Sequence, residues 1–128
     1  MAGTIVADTI QDGAGNSTSM DNAIYGSAKA WVNFTGSTAA IKASYNVSSI
    51  TRASAGQYTI NFTNALSDAN YCGVIGFIPN SPISGNPYPQ QMFIVSYSAS
   101  SILIATGYTT GSVYGYLDFP TINVTCFR

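Results

Sequence analysis

Five aspartates, four basic side chains and two cysteines carry almost all the reactive chemistry in this 128-residue chain. The aspartates are Asp8, Asp12, Asp21, Asp68 and Asp118, and the chain holds neither histidine nor glutamate. Two carboxylates could in principle hydrolyse a glycosidic bond, one as acid and one as base or nucleophile. Asp8 with Asp12, or Asp21 with Asp68, are the candidate pairs. Their flanks are polar and turn-like, which leaves ordinary low pKa values and no acid to donate the proton. Without histidine there is no Ser-His-Asp or Cys-His relay and no His-containing metal site. Serines such as Ser81 and Ser96 have no base to activate them. Asp12–Asn16, DGAGN, resembles a calcium loop but lacks its alternating carboxylates. Each aspartate therefore reads as a turn or cap residue making an Asx hydrogen bond. The expectation is a non-enzymatic protein with no catalytic residue, no cofactor and no metal.

The elements that must hold these residues read as strands. In AKAWVNFT, Ala28, Ala30, Val32 and Phe34 fall on one face and Lys29, Trp31 and Asn33 on the other. In QYTINFT, Tyr58, Ile60 and Phe62 alternate with Thr59, Asn61 and Thr63. A period of two marks half-buried antiparallel strands. Strands are expected near 28–35, 39–44, 47–51, 57–63, 71–78, 91–98, 101–107, 112–118 and 121–127. Ser54-Ala55-Gly56 and Ala99-Ser100 form tight links, and Pro120 fixes the entry of the last strand. No window has helical periodicity. The spacing predicts an all-β fold: a single antiparallel β-sandwich or barrel-like domain over 28–128, preceded by an extended N-terminal arm over 1–27.

The arm has a different texture. Ile5, Val6, Ile10, Met20 and Ile24 are sparse, and Asp12 to Ser19 is turn material. Such a segment cannot bury itself, so it is either disordered or laid on a partner, with Ile5, Val6, Ile10 and Ile24 as contacts. A second special region is PNSPISGNPYPQ, which holds four of the five prolines. It predicts a stiff surface loop presenting Tyr88. Tyr88 either packs back on its own domain or, with Asn86 and Gln90, meets a partner. Trp31 lies opposite the Ala-Val-Phe face. It needs cover from a second layer of the same sandwich or from a subunit interface. Tyr97, Tyr108, Tyr114 and Tyr116, interleaved with Gly107, Gly111 and Gly115, could build a carbohydrate-binding face or fill the space between subunits.

Composition narrows the partners. Charged residues make up 7% of the chain, against about 25% in an ordinary soluble domain. A net charge of -1 offers no basic surface for phosphates, which argues against nucleic acid. A neutral, hydroxyl-rich surface suits a protein that spends its life assembled, because charge keeps small proteins apart. The first ten residues contain no basic region and no apolar run suited to a signal peptide or a membrane span. Synthesis in a cytoplasm with no membrane insertion is expected. Cys72 and Cys126 then read as buried thiols rather than a disulfide. Five sequons, at Asn16, Asn33, Asn46, Asn61 and Asn123, occur by chance in so Asn-, Ser- and Thr-rich a chain.

Four blocks add a family resemblance: KAWVNF (Lys29 to Phe34), IKASYNVSSIT (Ile41 to Thr51), YTINFT (Tyr58 to Thr63) and ALSDANY (Ala65 to Tyr71). In this order they resemble a small β domain of bacteriophage virion structural proteins, often found at the end of tail fibres. TIVADTIQDGAGN resembles the lead-in segments that precede that domain where chains wind round a threefold axis. The resemblance implies a homotrimer, localised in the virion. Two placements follow from it. One is a capsid decoration (cement) protein on the head exterior, gripping the major capsid protein or another virion protein. The other is a tail-fibre tip that binds host-surface glycan. Only about 27 residues precede the domain, which leaves no room for a fibre shaft, so decoration is the expectation.

Overall fold

The computed structural model describes residues 3–80 and 88–128. Among them are eleven strands and one short helix. Two strands, β1 (Thr9–Gln11) and β2 (Ser17–Ser19), pair as a small hairpin ahead of the helix α1 (Met20–Gly26). The remaining strands form two larger antiparallel sheets. The first has the order β4 (Ala40–Tyr45), β3 (Ala28–Thr35), β11 (Thr121–Phe127), β7 (Cys72–Ile78). The second has the order β10 (Val113–Tyr116), β9 (Ser101–Thr110), β6 (Gln57–Phe62), β5 (Val47–Ser54), with β8 (Gln90–Ser98) also paired to β9. The all-β reading holds.

The alternation read from the sequence is the alternation of burial. Ala30, Val32 and Phe34 of β3 and Ile122, Val124 and Cys126 of β11 face inward from the first sheet. Tyr58, Ile60 and Phe62 of β6 and Ile102 and Ile104 of β9 face inward from the second, and all join one core. Phe34 meets Tyr58 edge to face at 5.2 Å, and Phe77 stacks on Phe119 at 4.5 Å. Truncating a buried aromatic such as Phe34 removes about 3–5 kcal/mol.

Corners explain the remaining sequence blocks. At Asn46 the chain leaves β4 for β5, passing from the first sheet to the second, with a left-handed backbone (φ 55°) that asparagine tolerates. Its side-chain amide donates to the carbonyls of Lys29 and Asn64, and its oxygen accepts from the Asn64 N–H. Tyr71 closes the ALSDANY stretch: its hydroxyl donates to the Ser98 and Ser101 carbonyls, anchoring that segment to the turn between β8 and β9.

The N-terminal region departs from the expectation of an extended arm without helix. Asp12 folds DGAGN into a closed loop, its carboxylate accepting from Ala14 N–H, Asn16 N–H and the Asn16 amide at 2.9 Å each. That loop brings Ser17–Ser19, expected to be turn, against Thr9–Gln11. Ser19 then caps α1 by accepting from the Asn22 N–H, with Asp21 in the first turn. Seven residues are too few to display a helical period, so only the cap marks the helix.

Candidate functional site

Where the expected chemical groups lie is the first constraint. Asp12 is the loop-closing residue just described, and its pKa is lowered by the Asn16 side chain and backbone bonds. Asp68 accepts from Asn70 N–H at 2.7 Å and pairs with Arg128 at 2.5 Å, which also lowers its pKa. A general acid needs the opposite shift. Asp21 sits in the first turn of α1, and Asp8 offers its backbone carbonyl to Met20 N–H. Among the described residues no cluster of three potential metal ligands occurs. No helix among them is long and apolar enough to cross a membrane. Both cysteines are free thiols. They lie side by side in register but on opposite faces of the first sheet, Cys72 exposed and Cys126 buried with its thiol pushed up to about 11 by burial and then by Cys72.

Asp118 was not singled out by sequence and is the most connected carboxylate. Burial raises its pKa, but bonds from Arg52, Tyr58 and Gly56 outweigh it and hold the carboxyl at about 2. Arg52 Nη2 lies 2.6 Å away and Nε 3.1 Å away, a bidentate pair, while the Tyr58 hydroxyl and the Gly56 N–H (2.9 Å) complete the set. Arg52 and Gly56 flank the turn between β5 and β6, and Asp118 precedes β11, so the cluster ties the two sheets at one end. Gly56 has φ +67°, and a Cβ there would lie 2.2 Å from the Thr106 carbonyl oxygen. Only glycine lets the three segments meet. The cluster is structural, and no sequence pattern connects residues 52, 58 and 118.

The outer faces carry the unusual surface. On the first sheet, Tyr45, Trp31, Thr125 and Val74 align across β4, β3, β11 and β7 in one cross-strand row. No second layer of the chain covers Trp31, which is 38% exposed, and Tyr45 and Val74 are also exposed. The next row is Ala43, Asn33, Asn123 and Gly76, with the Asn33 amide donating to the Asn123 side chain at 2.6 Å. Neither row holds a charge.

The outer face of the second sheet is aromatic at one end. Phe93 lies 5.1 Å from Tyr114, which meets Tyr116 edge-on at 5.1 Å. Tyr114 lies across Gly107, where a Cβ would fall 2.8 Å from its ring, and on the other face Tyr108 covers Gly115 in the same way. Aromatic rings over cross-strand glycines shield backbone that would otherwise be bare. Val95 projects at an irregularity in β8 and, with Leu103, Ile104, Ala105, Tyr116 and Gln57, lines a hollow of about 140 Å³. Beside it the Tyr114 hydroxyl is buried and makes no hydrogen bond among the described residues, and burial, then Tyr116, pushes its pKa to about 12.

Tyr88 stacks on Tyr108 at 6.2 Å, so the proline loop's aromatic leans on its own domain while remaining partly exposed. Gln90 is engaged with Asn80: its oxygen accepts from the Asn80 N–H and its amide donates to the Asn80 carbonyl. That pair pins the base of the loop rather than presenting the amide. Asn86, like Ser81, Pro82 and Pro87, lies outside the described residues. In the N-terminal region none of Ile5, Val6, Ile10 and Ile24 is buried: Ile5 is 84% and Val6 93% exposed. No family model, no curated protein and no solved structure matches this chain.

Proposed function

We propose that this chain is a non-enzymatic structural protein of a bacteriophage virion, a homotrimeric decoration (cement) protein of the head exterior. The observation that carries the assembling character is the exposure of Ile5 and Val6 on a chain whose outer sheet faces are also apolar and nearly uncharged. Contiguous exposed apolar surface marks a site of interaction. The virion assignment rests on the four sequence blocks and their resemblance. In this reading the domain forms the trimer and the N-terminal region grips the major capsid protein.

Binding to empty heads tests it. Apolar and backbone contacts drive the association, so affinity changes little between low and physiological salt. Deleting residues 1–20 weakens attachment while the β domain stays folded. Equal binding by the truncated protein would remove the anchor on which decoration depends. A tail-fibre tip is the second reading, favoured by the partly exposed Tyr88–Tyr108 stack beside the proline loop. Aromatic faces of that kind bind the apolar face of a sugar.

A further inference from the structure

The hollow on the second sheet is a socket. Its walls are Val95, Leu103, Ile104, Ala105 and Tyr116, with the Gln57 amide at one side, and it measures about 140 Å³. A cavity of about 150 Å³ with aliphatic and aromatic walls holds a benzene-sized group. No lining residue is charged, so an ion would lose its hydration there with nothing in return. A sugar would meet one amide, one phenol and otherwise hydrocarbon. A branched aliphatic side chain fits the walls better than either.

The same chain carries such a side chain with nothing covering it. Residues 3–7 contain no charge, adopt no regular secondary structure and hold Ile5 and Val6 in the open. In extended backbone, neighbouring side chains point to opposite sides. Only one of the two can enter a socket, and Ile5 is the larger. We propose that Ile5 of one copy seats in the Val95–Leu103–Tyr116 socket of a neighbouring copy. The partner is therefore a second molecule of this chain, and the inference rests on the assembling-subunit reading above. Peg and socket are different surfaces, so the contact is heterologous. It runs from copy to copy and satisfies every arm and every socket only when it closes as a ring.

The test is disulfide trapping beside two charge variants. Ile5→Cys and Val95→Cys are combined in a Cys72→Ala background, which removes the exposed thiol; the buried Cys126 stays silent. Mild oxidation is expected to give covalent multimers on a non-reducing gel, ending at the closed ring, while either cysteine alone with Cys72→Ala gives none. Ile5→Asp and Val95→Asp are each expected to weaken association at least tenfold by light scattering. Both positions are more than half exposed, at 84% and 51%, so unfolding temperature should hold and serves as the folding control. An oligomer that survives both charge variants and forms no trap overturns the peg and socket but leaves assembly standing. A disulfide within a single chain places the arm on its own domain and also overturns the proposal. A wild-type monomer at every concentration removes both readings together.

Discussion

At the scale of the residue, Asp118 decides how this fold answers acid. Its carboxyl lies below an ordinary 3.8, at about 2, because Arg52, Tyr58 and Gly56 all donate to the ionised form. A depressed folded-state pKa contributes stability that is complete above about pH 4 and is lost as pH falls through about 2. After allowance for the solvent that reaches Arg52, the contribution at neutral pH is about 1–2 kcal/mol. Asp118→Asn should lower stability by that amount at pH 7 and flatten the wild-type decline between pH 4 and pH 2. Parallel acid-unfolding curves for the two proteins would contradict the assignment. Tyr88 makes a second residue-scale case. With its ring stacked on Tyr108 and 44% of its surface exposed, Tyr88→Ala should cost about 1 kcal/mol, well under the 3–5 of a buried aromatic. A decoration protein leaves host adsorption unchanged in this variant. Lost adsorption at nearly unchanged stability would instead favour the fibre tip. The sequence exposed Asp12 as a loop residue because its partners lie within four positions. It hid Asp118, whose partners lie 60 or more positions away.

At the scale of the element, hairpins were the legible part. Ala55-Gly56 and Ala99-Ser100 are two-residue links in the places their small residues suggested, and β3, β6 and β11 bury the faces their alternation marks. The hairpin of β1 with β2 and the helix after it were not legible, because three-residue strands and a seven-residue helix are shorter than the patterns that reveal them. Glycine spacing in GYTTGSVYGY was visible; that rings lie over those glycines was not, since only the register of β9 with β10 makes them neighbours. Gly107→Ala would set a Cβ 2.0 Å from the Gly115 carbonyl oxygen, whereas Gly76 has nothing within 4 Å. The first change should destabilise by about 2 kcal/mol or more, and Gly76→Ala should stay within about 0.5 kcal/mol. Denaturant unfolding of the pair checks this, and similar losses for both would refute the packing of Tyr114 on Gly107.

At the scale of the whole molecule, the chain combines a well-filled core with an outside that lacks the charge needed to stay alone. Its two outer faces present an uncharged row around Trp31 and an aromatic cluster around Tyr114, and the N-terminal residues add bare isoleucine and valine. Composition foretold this neutrality, but which faces would carry it depended on strand order, which no local pattern encodes. Trp31 and the arm contacts could be named from the sequence, whereas the socket could not, because Gln57, Val95, Leu103 and Tyr116 come from four strands. The molecular mass of the purified full-length chain by light scattering, across micromolar concentrations, tests the assembling claim most directly. The account predicts a stable species of three times 13.4 kDa; a soluble 13.4 kDa monomer throughout the range would contradict it.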